Sequence, residues 1–358
     1  MSATTRTVVD SAEQEVTVPP PRRSWPRRLL LAVLVVGTLA LPLALDSGEL
    51  AVFVQVALSA CVVVGISLLM GYAGQVSLGQ AVFYGVGGYT AALLSMYGAP
   101  TLVGLLAAPL VAATIAVLLG LPLLRLRGHH LAFATIAVHM MFLVLVTQSD
   151  LLGGSTGLQG IPLLSVADRE ISTNLGHAYL AWAVLALVVI IALNTVRSRP
   201  GRALRALAGS ETAAASSGIP VGRYKLTVFA LSAAFAGAAG GVYAFYIGFL
   251  SPGMFPVTMS ITYVVMAVVG GLGSVWGAVA GTALVTVGVH FLTLWGTAEG
   301  MPDYAPSVFS YAVYGIALVV TVLFLPHGVV PALRRLRFRR ARSCEGKVKR
   351  GCSPGSRR

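Results

Sequence analysis

Long apolar runs separated by short polar segments cover most of this chain. The runs lie near residues 28–45, 50–70, 79–97, 102–124, 130–148, 178–195, 226–250, 257–272, 276–295 and 306–326. Because a helix needs about 20 apolar residues to cross a bilayer, the pattern predicts an all-α polytopic membrane protein with about ten transmembrane helices. Only "GGLGSVWG" separates the eighth run from the ninth, so half-helices are the alternative for these two.

Composition and charge agree with this pattern. Of the 358 residues, 56% are hydrophobic and only 10% are charged, whereas soluble domains carry about 25% charged residues. The net charge of +13 comes from basic blocks beside apolar runs, which indicates membrane topology rather than a nucleic-acid partner. The blocks predict that both termini and the loop 196–225 are cytoplasmic, and that the loop 149–177 is exterior.

The predicted domain organisation follows from these runs. Residues 1–27 form a disordered cytoplasmic leader, 28–328 the transmembrane domain, and 329–358 a basic, disordered cytoplasmic tail. Glycines at positions 237, 240 and 241, in "GAAGG", are typical of a face on which transmembrane helices pack closely.

The sequence lacks the common motifs of catalysis and metal binding. It contains no phosphate-binding loop, no H-E-x-x-H pair, no Cys/His cluster and no G-x-S-x-G motif. The cysteines Cys61, Cys344 and Cys352 have neither disulfide nor zinc spacing. No predicted span has Asp, Glu, Lys or Arg near its middle, which leaves His139 and His290 as the candidates for a proton relay. We therefore predict no catalytic, metal-binding or cofactor-binding residue.

The polar segment "GYAGQVSLGQ" (71–80) interrupts a long apolar stretch. Two interpretations remain open. The segment lines a path for an uncharged or zwitterionic solute, since broken backbone at membrane depth must be buried in protein or face water. Alternatively, it is an ordinary cytoplasmic turn with a helix starting at Ser77. The path would be lined by Gly74, Gln75, Ser77, Gly79 and Gln80.

The loop 196–225 is predicted to contain a short helix. Pro200 and Gly201 begin it, and Gly218 with Pro220 end it. Its apolar positions share one face: Leu204, Leu207 and Ala208. The pattern alone favours packing of this face against the transmembrane bundle over docking to a soluble partner.

Five segments of the chain resemble branched-chain amino acid ABC transporter permeases. They occur in the family's order and span about residues 50–328. They are "GYAGQVSLGQAVFYGVGGYTAALL" (71–94), "LRLRGHHLAFATIAV" (124–138), "GGSTGLQGIP" (153–162), "GRALRALAGSETAAASSGIPVGRYKLTVFALSAAFAGAAGGVYAFYIGFLSP" (201–252) and "VVGGLGSVWGAVAGT" (268–282).

The resemblance implies a type II ABC importer-like permease fold in the cell membrane. The chain would be one subunit of an ATP-driven importer of branched-chain or related amino acids. Its partners would be a second permease, two cytoplasmic P-loop ATPases that bind the ATP, and an extracytoplasmic solute-binding protein. The resemblance also makes 196–225 the loop that couples the permease to the ATPase. The residues on the family's pattern there are Arg202, Arg205, Glu211 and Gly218.

Two departures from the family's pattern stand out. Ala208-Gly209-Ser210-Glu211 replaces the usual Arg-Glu-Asp-Glu, and His129-His130 replaces Pro-Tyr. Two alternatives to amino-acid import remain open. The same machinery could carry urea or short amides, because a separate binding protein selects the substrate. A self-sufficient channel or secondary transporter is the other alternative, although it has no need of a coupling loop.

Overall fold

The structure is a computed structural model that describes residues 41–43, 45–124, 126, 129–166, 169–170, 173–296 and 315. Contacts divide the chain into two units, 1–44 and 45–358. In the unit 1–44, the structure describes one 3₁₀ turn, Leu41–Leu43. The predicted leader and tail, and nearly all of the first and tenth spans, lie outside the described residues.

The described part of the second unit is mainly helical. Its ten α-helices are α1 (Ser47–Ala73), α2 (Gln80–Met96), α3 (Thr101–Leu123), α4 (His129–Gln148), α5 (Asn174–Arg197), α6 (Arg199–Gly209), α7 (Glu211–Ser216), α8 (Val221–Ile247), α9 (Val257–Gly270) and α10 (Val275–Gly296). Two short antiparallel strands, β1 (Ser165–Val166) and β2 (Arg169–Glu170), lie between α4 and α5.

Eight of these helices coincide with the second to ninth predicted spans. By length and composition, six segments of the described chain are suited to cross a membrane: Gly48–Ala73, Thr101–Leu123, His130–Gln148, Asn174–Arg197, Val221–Ile247 and Pro252–Gly270. The polytopic all-α fold is thus observed, while the total of ten spans and the location of the termini stay predictions.

Helices α1 and α8 form the centre of the bundle. Helix α1 contacts α5, α8, α9 and α10, and α8 also packs against α2 and α3. Nearly every residue of α1 from 54 to 69 is buried. The outer helices instead expose large apolar side chains, which include Leu110, Phe133 and Leu187. Such an apolar exterior is what a helix bundle presents to lipid.

Glycines bring the central helices into backbone contact. A Cβ atom added at Gly87 would overlap the backbone of Gly237, and one added at Gly240 would overlap the carbonyl oxygen of Tyr84. Helix α8 therefore approaches α2 along the "GAAGG" segment, which confirms the predicted packing face. Gly270 and Gly277 make the same kind of contact between α9 and α10.

Helix α9 is short and ends at a backbone break. Its 14 residues span about 21 Å at 1.5 Å per residue, less than the roughly 30 Å hydrocarbon core of a bilayer. Gly271 and Gly273 follow with φ angles of 102° and 79°, a backbone conformation that other residues rarely adopt. We call residues 271–274, which join α9 to α10, the second break.

Candidate functional site

The polar segment between α1 and α2 has its polar residues turned inward. Helix α1 ends at Ala73, and Gly74, with φ of 64°, redirects the chain. Beyond it, Gln75, Ser77 and Gly79 are buried, whereas the apolar Val76 between them is exposed. Helix α2 begins at Gln80, so a helix start at Ser77 was wrong. Burial therefore alternates along residues 75–77, with the polar side chains on the buried side.

We call residues 74–79, together with Gln80 at the start of α2, the first break. Three of its buried side chains have no hydrogen-bond partner among the described residues. They are the amides of Gln75 and Gln80 and the hydroxyl of Ser77. Leaving a buried polar group unpaired costs about 1–3 kcal/mol. Groups of this kind are expected to meet water or a ligand. Of the other two predicted path residues, Gly74 is exposed, and Gly79 is buried against the carbonyl of Thr135.

Hydrogen bonds from α4 and α9 fix the start of α2. The amide of Leu78 donates to Thr135 Oγ1 (3.0 Å), and that of Ala81 donates to Ser260 Oγ (3.0 Å). These bonds hold the residues between them, including Gln80, in one orientation.

His139 of α4 completes this network. Its Nε2 atom lies 2.9 Å from the carbonyl oxygen of Phe255. Because a carbonyl can only accept, Nε2 carries the proton, and Nδ1 accepts from Ser260 Oγ at 3.4 Å. Both ring nitrogens of the buried His139 are thus engaged, which favours a structural role over a proton relay.

The two breaks lie side by side. The hydroxyl of Tyr72, in the last turn of α1, donates to the carbonyl oxygen of Gly273 at 2.6 Å. Next to it, a Cβ added at Gly71 would overlap the backbone nitrogen of Gly273. The segments that interrupt the apolar runs in the sequence therefore form one irregular region.

A cleft of about 470 Å³ opens between α1, α8, α9 and α10. This volume suits a small-molecule site, for which 300–1,000 Å³ is typical. Its lining combines uncharged polar and apolar side chains: Gln55, Ser59, Tyr243, Met254, Pro256, Thr258, Met259, Thr262, Tyr263, Met266, Thr286 and Val289. None of these residues carries a formal charge.

This cleft was not predicted from the sequence, although the sequence contains a signal for it. Gln55 and Ser59 are one helical turn apart within an apolar run, and so are Thr258 and Thr262. Residues at i and i+4 share a helix face. Each of these two apolar spans therefore carries a polar stripe, which indicates that the two spans share a polar surface.

Tyr84 connects the cleft to the first break. It lies one turn after Gln80 on α2, is fully buried, and has no hydrogen-bond partner for its hydroxyl among the described residues. Its ring centroid is 5.4 Å from that of Tyr243 and 6.4 Å from that of Tyr263, both of which line the cleft. Phe255 packs on it at 6.0 Å. We call Tyr84, Tyr243, Phe255 and Tyr263 the aromatic cluster.

The loop 196–225 contains two helices rather than the single predicted helix. Ser210 adopts an extended conformation, and its hydroxyl accepts from the amide of Ala213 at 3.3 Å, which caps α7. Helix α6 ends at Gly209 because Ser210, the N-cap residue of α7, does not have a helical backbone conformation. One of the departures from the family's pattern, Ser210, therefore serves to start α7.

One face of α6 is buried and the other is free. Leu204 and Leu207 are each only 2% exposed, and α6 packs on α1, α5 and α8, as the apolar pattern alone favoured. Ala208, assigned to the same stripe, is exposed. The four residues on the family's coupling pattern are exposed as well: Arg202, Arg205, Glu211 and Gly218. Glu211 forms an ion pair with Lys225 at the start of α8.

Comparisons with known proteins cover most of the chain. Residues 49–322 match the family described as branched-chain amino acid transport system / permease component. The chain is 29% identical over 333 residues to the high-affinity branched-chain amino acid transport system permease protein LivM of Salmonella typhimurium, with 86% of this chain and 76% of that protein covered. LivM of Escherichia coli gives the same figures. The L-arabinose transport system permease protein AraH of E. coli is 28% identical over 143 residues, which cover 40% of this chain and 43% of AraH.

Proposed function

This chain belongs to the family of branched-chain amino acid transport system permease components, and on that premise we propose that it is the membrane subunit of an ATP-driven importer of leucine, isoleucine and valine. The family match over residues 49–322 supports the permease role. The observation that carries the substrate class is the uncharged polar lining of the cleft, joined through Tyr84 to the unpaired polar side chains of the first break.

The proposed route runs along the bundle from the cleft to the first break. Gln55 and Ser59 precede Tyr72 on α1 by 17 and 13 residues, which corresponds to about 20–25 Å along the helix. Tyr72 lies at the end of the bundle that carries the basic loop 196–225, because Arg205 of that loop is within electrostatic range of the Tyr72 hydroxyl. The cleft therefore belongs to the opposite half, where an importer receives its substrate.

The chemistry of the cleft suits a zwitterion with an apolar side chain. Thr262 and Thr286 offer hydroxyl groups that can donate to a carboxylate or accept from an ammonium. Met259, Met266 and Val289 provide apolar contact for a branched aliphatic side chain. A fixed charge would favour only one end of the zwitterion, whereas dipoles serve both ends.

Transport in this proposal is driven by separate subunits. The exposed face of α6 and α7 is where a cytoplasmic ATPase docks, and ATP is bound there rather than by this chain. A second permease and an extracytoplasmic binding protein complete the machinery. The chain crosses the membrane ten times, with residues 1–27 and 329–358 in the cytoplasm, so that 196–225 faces the ATPase.

Copurification tests the subunit proposal. The tagged chain is extracted from its native membrane in mild detergent, and associated proteins are identified by mass spectrometry. We expect a second permease and P-loop ATPases. A chain that purifies alone and moves leucine into liposomes without ATP would contradict the proposal and favour the channel or secondary transporter.

Substrate identity is tested on the associated binding protein. It is titrated calorimetrically with leucine, isoleucine, valine, urea, acetamide and L-arabinose. We expect binding of the three branched-chain amino acids. If the binding protein bound only urea, acetamide or L-arabinose, the proposal of branched-chain amino acids as the substrate would be wrong. The proposed role of this chain as a membrane subunit would not be affected.

A further inference from the structure

The end of α1 joins the coupling helix α6 to the second break. Tyr72 is in the last turn of α1, and its hydroxyl bonds to the carbonyl of Gly273 at 2.6 Å. Helix α6 packs against α1 through a face that contains Leu204 and Leu207. Arg205 of α6 lies within electrostatic range of the Tyr72 hydroxyl. A displacement of α6 therefore acts on the residue that holds the second break.

The backbone of the second break can change conformation at low steric cost. Gly271 and Gly273 both have positive φ angles, and glycine crosses between backbone regions at little steric cost. Hinges are commonly a few residues that take up a large change in φ and ψ. Gly71 presses its bare backbone against Gly273, so the position of α1 directly limits the position of the break.

The second break joins two helices that line the cleft. Helices α9 and α10 meet at residues 271–274. Thr258, Thr262 and Met266 line the cleft from α9, and Thr286 and Val289 line it from α10. Gly270 and Gly277 hold the two helices in backbone contact next to the break. A change in the backbone angles of the second break therefore alters the angle between α9 and α10.

We propose that Tyr72 is a positioning residue that transmits the movement of α6 to residues 271–274 and so sets the width of the cleft. This inference rests on the proposed docking of an ATPase to α6 and α7. Tyr72 acts through Gly273 and does not touch the substrate. The hydroxyl hydrogen bond supplies the directional part of the link, and the Gly71–Gly273 contact supplies the steric part.

The test uses the complete transporter in proteoliposomes with Tyr72→Phe, which removes only the hydroxyl. ATP hydrolysis and leucine uptake are measured together. We expect hydrolysis close to the wild-type rate, with uptake per ATP lowered roughly two- to tenfold, the change in population that one hydrogen bond produces. The matched control is Tyr97→Phe, which removes an exposed hydroxyl at the far end of α2.

Rescue and hydrogen exchange separate transmission from a merely structural role. Replacing Tyr72 with p-aminophenylalanine restores a donor at the same place and should restore uptake per ATP. In the wild type, ATP binding should change amide exchange in residues 270–276, and Tyr72→Phe should remove this response.

Two results would overturn the inference. One is unchanged uptake per ATP with an unchanged exchange response. The other is a parallel loss of hydrolysis, uptake and assembled complex that the amino analogue does not reverse. A wild-type transporter that needs no ATP would instead contradict the proposed function itself, so the two failures are distinguishable.

Discussion

The carboxylate of Glu211, the first residue of α7, accepts a hydrogen bond from the ammonium group of Lys225, near the start of α8. Lys225 is largely buried, while Glu211 is partly exposed. The pair ties α7 to α8, one of the two central helices of the bundle. Glu211 is also the acidic residue that persists where the family's pattern has three.

Reversing the charge at this link tests its role. In Glu211→Arg a second cation faces Lys225, and repulsion replaces attraction. We expect leucine uptake to fall by about tenfold or more, with a normal amount of protein in the membrane. Uptake is measured with radiolabelled leucine in cells that express the variant.

A charge-swapped double variant and a matched control complete this experiment. Glu211→Lys combined with Lys225→Glu should recover part of the uptake. Glu49→Arg reverses an exposed charge in the first turn of α1 and should have little effect. Normal uptake by Glu211→Arg would remove Glu211 from the coupling mechanism.

Cysteines in the first break test whether it lines the path. In a background where Cys61, Cys344 and Cys352 are replaced, Gln75→Cys and Ser77→Cys should react with a polar thiol reagent. Added substrate should protect them, because both side chains are buried on the inner side of the segment. The extent of labelling is measured by mass spectrometry of the assembled transporter.

Val76→Cys is the control for this labelling, since Val76 lies between the two buried residues and is 40% exposed. Its reactivity should not depend on substrate. Equal labelling of positions 75 and 77 with and without substrate would favour the ordinary-turn interpretation.

Removing hydroxyl groups from the cleft tests substrate contact. Thr262→Val and Thr286→Val keep the side-chain shape and delete one hydrogen-bonding group each. We expect each to raise the KM for uptake roughly two- to tenfold, with little change in protein level. Thr114→Val is the control, because the Thr114 hydroxyl bonds to its own helix on an exposed face of α3. An equal KM in all variants would place the substrate elsewhere.

Backbone contact between α2 and α8 predicts a severe effect of one methyl group. Gly240→Ala would force a Cβ into the carbonyl oxygen of Tyr84, and overpacking of this kind costs about 1–3 kcal/mol. The midpoint of thermal denaturation in detergent should fall. Gly222→Ala on the same helix meets no atom within 4 Å and should leave the midpoint equal or higher. Similar midpoints for both variants would contradict the observed packing.

Hydrophobic patterning predicted the helices well because a membrane span has one dominant requirement, a run of about 20 apolar residues. The runs near 79–97, 102–124 and 130–148 correspond to α2, α3 and α4, with a shift of at most one residue at each end. The division of the loop 196–225 was not predicted, since alanine-rich helix propensity concealed the capping role of Ser210. Propensity is a weak prior that a local side-chain hydrogen bond overrides.

The site was only partly predictable for a different reason. The polar residues of 71–80 are consecutive, so the segment stood out in the sequence. The cleft draws single polar residues from helices far apart in the chain, such as Gln55, Thr262 and Thr286. Each of them alone is common in a transmembrane helix. They form a common site only through tertiary packing, which a local sequence pattern does not contain.

The aromatic cluster has a consequence for the electrical tightness of the membrane. Tyr84 is fully buried one helical turn after Gln80, and its ring packs on those of Tyr243, Phe255 and Tyr263. A continuous column of water through the bundle would let protons and sodium ions leak and would drain the gradients that power the cell. In the transporter that we propose, we expect these rings to exclude such a column at rest, so that ion leakage is confined to the turnovers that carry a substrate.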